Sequence, residues 1–495
     1  MNTTENKYVI SGYEPKRLFR FFEDICRIPR GSGNEKGISD YLVAFANERG
    51  LEVHQDEELN VLIRKPATAG YENEPSILLQ GHVDMVCEKN NDTVHDFLTD
   101  PIIPYVDGKF LKARGTTLGG DNGIAVATMM ALLDGELDAH PELECLFTTS
   151  EETGLNGAYA FDYSLIKSTR MINMDSEADD CVIVGCAGGL RSDVSVEYTP
   201  IALPDGITPV KVSVSGLMGG HSGENINDGR ANANKLVAML IKDISSSTDT
   251  YISAIVGGSK DNAIPRECEA YIAVKDADAA REAFELCASS IKDALGEDDA
   301  AFNASFDVTD AANEYATLDA TKALIDFFYR IPVGVLKMSL AMENFVEFSR
   351  NLGVIRSEGN KISFVFSTRS AIERQLDSSI RVTNSFTDRL NMTEGVSATA
   401  NHYSRYPGWE YAEVSALREQ FVRIHEELYG QTPIVKSIHA GLECGIIASR
   451  CPGMDIIAIG PDMKDIHSPA EALDLISCEK FYRILSKMLT EKQNG

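Results

Sequence analysis

An α/β domain with a mixed, mostly parallel sheet, interrupted by an inserted α+β domain, is the fold class this sequence predicts. Three observations predict it. Up to residue 175, short apolar runs alternate with helical patterns, the order of elements that builds a parallel sheet with helices on its faces. From about 208 to 401 the strands instead alternate apolar and polar residues: 210–215 reads VKVSVS and 269–274 reads EAYIAV, the pattern of a sheet with one wet face. After 402 the first pattern returns, with a helix at 414–428 and a buried strand at 454–459. The expected division is therefore 1–187 and 403–495 for a discontinuous α/β domain, and 188–402 for the insertion. At 495 residues the chain also exceeds what one hydrophobic core supports.

The elements follow in order. Residues 15–28 place Leu18, Phe21, Phe22 and Ile25 on one helical face. A second helix buries Ile38, Leu42 and Phe45, with Asn34 as its expected cap and Gly50 as its stop. Strands follow at 51–54 and 61–64; His54 lies in an alternating strand and reads as a surface residue. The apolar run 77–79 is a short buried strand. Strands at 102–105 and 109–113 flank Asp107-Gly108, a hairpin signal. A helix at 124–133 and strands at 143–149 and 171–174 complete the first α/β segment. In the insertion, helices at 231–244, 279–295 and 372–390 separate the strands. Near the C-terminus, Ser468-Pro469-Ala470-Glu471 has the form of a capping box with proline at the first helical position. It predicts a helix starting there, with His467 immediately before it.

Composition excludes several function classes. Hydrophobic and charged fractions of 43% and 24% are ordinary for a soluble globular protein. A formal charge of −29 argues against nucleic acid or an anionic membrane as partner. No apolar run is long enough to span a bilayer. Residues 1–7, MNTTENK, hold neither a basic nor an apolar signal region, so a cytoplasmic enzyme is expected. The 10 cysteines show no CxxC pair and read as reduced structural residues.

The chemistry centres on 78–86, LLQGHVDMV. His82 and Asp84 end a strand two residues apart, and residues i and i+2 of extended chain point the same way. An imidazole there can ligate zinc, with a carboxylate orienting it from behind. Taken alone, the pair also fits an exposed histidine beside an exposed aspartate. Four further stretches favour a site. A glycine-rich turn at 115–123 carries Asp121. Strand 143–149 runs into Glu151-Glu152. Strand 171–174 ends on Asp175. Far downstream, 465–469 supplies His467. Two histidines and several carboxylates suit two divalent metals bridged by one carboxylate and one water.

The five motifs GHVD, GGDNG, TSEETG, NMDSE and IHSP, in this order, resemble the family of co-catalytic dinuclear-zinc peptidases that includes aminoacylases, carboxypeptidases and dipeptidases. The resemblance spans nearly the whole chain. It implies two divalent ions per chain, most simply zinc, with cobalt or manganese also suited to mixed N/O sites. His82 and Asp175 would hold one ion, Glu152 and His467 the other, and Asp121 would bridge. Glu151 would be the general base and Asp84 would hydrogen-bond His82. Only the resemblance separates the roles of Glu151 and Glu152, since spacing cannot distinguish neighbours.

The insertion then resembles the family's lid. His221 in a glycine-rich loop, Asn262 in another and Arg369 at a strand end read, taken alone, as loop residues and a solvated charge. The resemblance implies instead that His221 stabilises the oxyanion, that Asn262 and Gly441 contact substrate, and that Arg369 grips a substrate carboxylate, for which its fork is suited. Length and the stretch 438–445, IHAGLECG, are similar to members cleaving Xaa-His dipeptides such as carnosine. Tripeptide aminopeptidases and amino-acid deacylases share the same metal chemistry, and a non-enzymatic peptide-binding relative is the remaining alternative. The sequence departs from the shorter family members in two ways. Lys275 stands where their arginine is expected, and the lid is about twice the usual length. Both features suggest an internally duplicated lid in which Arg369 takes the place of Lys275. His221 is then expected to act within its own chain, with a homodimer compatible but not required.

Overall fold

The structure is a computed structural model that describes residues 8–10, 12–312 and 314–492. The N-terminal heptapeptide read above for a targeting signal lies outside these residues. The chain divides into two compact units. One comprises Met1–Gly185, Tyr411–Ser437 and Leu442–Gly495; the other comprises Cys186–Glu410 and Ile438–Gly441.

The first unit is built on an eight-stranded sheet. Its order is Glu52–Gln55, Val61–Lys65, Leu143–Thr148, Ile77–His82, Arg170–Asn173, Asp455–Ala458, Cys181–Cys186, Ile434–Ile438. The four central strands pair parallel. The Glu52–Gln55/Val61–Lys65 hairpin and the Cys181–Cys186 strand pair antiparallel. The sheet is therefore mixed; among its antiparallel pairs only the Glu52–Gln55/Val61–Lys65 hairpin is joined by a short connection. Ile77–His82 and Leu143–Thr148 are buried at every position, as strands covered on both faces must be. Helix Gly120–Leu133 packs on Ile77–His82. Gly81 makes that approach possible, since a Cβ there would lie 2.6 Å from the Ala125 Cβ.

Two expected caps are not formed. The second helix, Lys36–Glu48, has no side-chain cap. The Asn34 amide instead reaches the Leu98 carbonyl (3.4 Å). At the other end of the chain no helix starts at Ser468. Strands Met463–Lys464 and Ala472–Asp474 pair antiparallel around a turn, and His467 sits in that turn with φ 58°. The helix begins at Leu475, where the Asp474 carboxylate accepts from the amides of Ile476 (3.0 Å) and Ser477 (3.2 Å). The reason is tertiary: the Glu471 carboxylate that would have closed the capping box is taken by amides elsewhere.

The second unit holds a nine-stranded antiparallel sheet. Eight strands run in the order Asn303–Val308, Thr208–Ser215, Cys268–Val274, Thr250–Gly257, Val346–Glu358, Lys361–Ser370, Gly188–Tyr198, Val396–Tyr406, and Gly334–Met338 pairs beside Val346–Glu358. Alternate residues of Thr208–Ser215 are buried, as its pattern predicts. Helices Ala233–Ser247, Ala277–Ala294 and Leu318–Arg330 contribute to one core with these strands. Asn232, Asp276 and Thr317 cap those three helices. Strand Val346–Glu358 and helix Leu318–Arg330 are additions to the sequence reading. The strand escapes a hydrophobicity pattern because Ser349, Arg350 and Asn351 are buried in it, and because its register slips beside Gly353.

Candidate active site

The carboxyl ends of the central strands of the first unit bring the acids and imidazoles together. Ile77–His82 delivers His82, buried to 1% exposure. Asp84, fully buried, faces the other ring nitrogen: its Oδ1 lies 3.3 Å from His82 Nδ1. The same carboxylate accepts from Ser32 Oγ (2.7 Å) and from the amides of Glu151 (3.1 Å) and Glu152 (3.2 Å). Asp84 thus ties the imidazole to the turn that follows strand Leu143–Thr148, and it leaves Nε2 free to face outward. That Nε2 lies 3.0 Å from Asp121 Oδ1 and 3.6 Å from Asp175 Oδ1.

Asp121 lies between the two histidines. Its second oxygen, Oδ2, is 3.1 Å from His467 Nε2, and Glu152 Oε1 is also 3.1 Å from that nitrogen. Asn122 donates to Asp175 Oδ1 (2.7 Å) and orients it. Ligand atoms of His82, Asp121 and Glu152 all fall within 4.8 Å of one another. Gaps of 3.0–3.6 Å match the roughly 3.3 Å between neighbouring ligand atoms on a tetrahedral ion with bonds of about 2.0–2.1 Å. Nitrogen and oxygen donors of this kind fit divalent cations.

The electrostatics agree with that fit. Hydrogen bonds to Asp121 and Glu152 lift the His467 imidazole to about 10. Burial opposes a charge on His82, but Asp175, Asp121 and Asp84 outweigh it and raise the group well above its usual range. Burial likewise opposes ionisation of Asp121, yet the two imidazoles hold it below the usual carboxylate range. Burial lifts Glu151 well above that range, against the pull of His82. Among the described residues Glu151 forms no ion pair, in contrast to Glu152.

Three buried charges that sequence reasoning missed support this layer. Arg30, 2% exposed, donates to the carbonyls of Val83 (2.8 Å) and Asp84 (3.1 Å), and also to Gly119. Glu443 accepts from Gln80 Nε2 (2.5 Å) and Thr148 Oγ1 (2.7 Å), and burial pushes its carboxyl up to about 7. Gln80 in turn accepts from Asn173 Nδ2 (2.6 Å), so one carboxyl braces the strands that end in His82, Glu151 and Asp175. Glu471 is the third. An acid inside the apolar stretch GLECGII was the only local signal for Glu443; nothing local marks Arg30.

In the second unit a separate cluster forms. Hairpin residues Gly220–His221 pair with Ala263–Ile264, and the Asn262 carbonyl accepts from the Ser222 amide (2.8 Å). His221 Nε2 lies 3.4 Å from an Arg369 terminal nitrogen. Arg369 donates to Tyr406 Oη (3.3 Å), and its Nε has no hydrogen-bond partner among the described residues. Gly441 lies against the Tyr406 ring, where an added Cβ would stand 2.9 Å from a ring carbon. His221, Asn262, Arg369 and Gly441 therefore belong to one neighbourhood. Burial, then the Arg369 charge, lowers the His221 imidazole. Lys275 is elsewhere, exposed and 3.7 Å from Asp249.

A family profile described as Peptidase family M20/M25/M40 matches residues 78–491. The chain belongs to peptidase family M20/M25/M40. The matched region opens on the strand that delivers His82 and closes beyond His467. The chain is 37% identical over 488 residues to the cytosol non-specific dipeptidase of Escherichia coli (strain K12), covering 97% of this chain and 99% of that relative. The crystal structure of aminoacylhistidine dipeptidase from Vibrio alginolyticus matches with a TM-score of 0.92 at 35% identity, over 98% of each chain. An aminopeptidase structure from Bacillus cereus ATCC 10987 matches at a TM-score of 0.56 and 16% identity, over 97% of this chain and 98% of that one, and shares the fold alone. As an M20 member the chain is a hydrolase of the metallopeptidase class. Among its described residues no helix is long and apolar enough to cross a membrane.

Proposed function

We propose that this M20 peptidase is a metal-dependent dipeptidase that hydrolyses Xaa-His-type dipeptides such as carnosine. The observation that carries the metal chemistry is the Asp121 carboxylate, with one oxygen facing each imidazole. In this reading His82 and Asp175 would hold one ion, Glu152 and His467 the other, and Asp121 would contribute to both. The chemistry two such ions supply when bound is Lewis acidity toward the scissile carbonyl and toward water. The names of the Escherichia coli and Vibrio relatives support a dipeptide substrate.

The chain's own residues then divide the work. Asp84 holds the His82 ring in one orientation, so that Nε2 is the ligating nitrogen. A Glu151 carboxylate oxygen takes a proton from the attacking water and later passes it to the leaving amine. Its half-buried setting and its lack of an ion pair among the described residues suit that exchange. His221 stabilises the oxyanion and Arg369 grips the substrate carboxylate, with Asn262 and Gly441 contacting substrate. A guanidinium with an unpartnered Nε has a donor to spare for a carboxylate.

The second unit is read as a lid built by internal duplication, and the strand order supports this. Strands Thr208–Ser215, Thr250–Gly257, Cys268–Val274 and Asn303–Val308, taken as first to fourth, lie in the order fourth, first, third, second. Strands Gly188–Tyr198, Val346–Glu358, Lys361–Ser370 and Val396–Tyr406 continue as second, third, first, fourth. Each set also carries two helices at the same places in its order. Lys275 follows the third strand of one set and Arg369 ends the third strand of the other.

A substrate panel tests the proposal. Carnosine and other dipeptides should be cleaved faster than tripeptides and N-acetyl amino acids, and zinc-reconstituted protein should contain two ions per chain. Faster cleavage of a tripeptide or a deacylase substrate would overturn the dipeptidase reading, and at most one ion would overturn the dinuclear one. Arg369→Met should raise KM for dipeptides by roughly 10- to 100-fold, the loss of a charged hydrogen bond. Dipeptide amides, which lack the carboxylate, should be indifferent to the substitution; equal losses on both would remove Arg369 from that role.

A further inference from the structure

Glu471 sits at the end of the turn that carries His467, and its carboxylate does not face solvent. It is 3% exposed. One oxygen accepts from the amides of Leu118 (2.7 Å) and Gly119 (3.0 Å); the other accepts from Gly120 (2.8 Å) and Asp121 (3.4 Å). The last of these lies 350 residues away in the chain. These amides lie just before and within the irregular first residues of helix Gly120–Leu133, where Asp121 and Asn122 depart from helical backbone and no preceding turn can satisfy them. A carboxylate suits four converging N–H groups better than any neutral acceptor. Gly120 leaves room for it: a Cβ there would stand 3.2 Å from Glu471 Oε1. On the other side of the loop Arg30 holds the Gly119 carbonyl.

The turn itself is short and closed. Ser468 Oγ donates to the Asp465 carbonyl (2.7 Å) and accepts from the Ala470 amide (3.2 Å), while the Glu471 amide donates to the Ser468 carbonyl (3.1 Å). Strands Met463–Lys464 and Ala472–Asp474 pair on either side of it. Fixing Glu471 therefore fixes His467, whose Nε2 lies 3.1 Å from Asp121 Oδ2. We propose that Glu471 is a positioning residue: it locks the His467 turn to the Asp121 loop, so that the two imidazoles sharing Asp121 are set at metal-binding separation before any ion arrives. The proposal deepens the metal-dependent reading given above and rests on it, but its test needs no substrate.

Zinc is titrated into metal-free wild-type protein, Glu471→Gln and Glu471→Asp, with circular dichroism as the check on folding. Glu471→Gln keeps the shape but presents an N–H to amides that need acceptors. Glu471→Asp keeps the charge but shortens the reach. Zinc affinity should fall roughly 10- to 100-fold in both, the usual effect of losing a group that orients metal ligands. If Glu471 served only as a negative charge near the site, Glu471→Asp would bind zinc as wild type does, and the proposal would fail. Affinities within twofold of wild type in both variants would also sink it. A second measurement uses wild-type protein alone. In the metal-free state the amides of Leu118 to Asp121 should exchange with deuterium as slowly as those in the middle of helix Gly120–Leu133; exchange at the rate of open chain would overturn the idea even if neither variant folds. A protein that binds zinc as expected yet cleaves no dipeptide would refute the dipeptidase reading and leave this one standing.

Discussion

Glu151→Gln leaves the protein folded, keeps both ions and the substrate affinity, and lowers turnover by roughly 10²–10⁴-fold or more. The expectation rests on the contrast between neighbours. Glu152 Oε1 is 3.1 Å from His467 Nε2, whereas Glu151 forms no ion pair among the described residues. Asp84 accepts from both backbone amides, so the turn stays in place when either side chain is changed. Glutamine preserves the volume of Glu151 and removes only its capacity to take a proton. The measurement is kcat and KM beside elemental analysis of the same preparation. Loss of an ion from Glu151→Gln, with Glu152→Gln retaining both, would require the two roles to be exchanged.

Asp121→Asn abolishes measurable hydrolysis and lowers metal content. Asp121 faces both imidazoles, through Oδ1 at 3.0 Å to His82 and Oδ2 at 3.1 Å to His467. An amide has one acceptor oxygen, so one ion would meet an N–H group in place of a ligand. The loop should keep its shape, because its amides remain bound to Glu471 and the Gly119 carbonyl to Arg30. Fold and chemistry are thereby separable: thermal unfolding of the metal-free variant should follow wild type while zinc content after reconstitution drops below two ions. Retention of two ions with substantial activity would show that some other group bridges.

The two predictions differ in what they ask of the chain. Glu151 needs only to be near the attacking water with its proton affinity intact. Asp121 needs a position accurate to fractions of an ångström relative to two histidines from distant parts of the sequence. The buried braces around it, Arg30, Glu443 and Glu471, are consistent with that demand.

Short-range rules were enough for much of this protein. The buried strand that delivers His82, the pairing of His82 with Asp84, the hairpin at Asp107-Gly108 and the alternation of Thr208–Ser215 all follow from periodicity and turn residues within a few positions. The order of five motifs was enough to expect a peptidase of this family, because each motif is a local feature of one strand end or turn. Strand Val346–Glu358 was not legible: its buried Ser349, Arg350 and Asn351 hydrogen-bond to His439, Thr383 and the Ala263 carbonyl, partners that no apolar pattern reveals. The segment 468–471 misled for the same reason. It satisfies the local rule for a capped helix, but four amides some 350 residues earlier in the chain compete for the Glu471 carboxylate and win, since buried N–H groups without an acceptor cost more than a shifted helix start. Sequence alone determined which side chains could serve as ligands and which strands present them. Only tertiary structure decided which oxygen faces which imidazole, and which buried charges hold them there, because those distances depend on hydrogen bonds between residues that share no local segment.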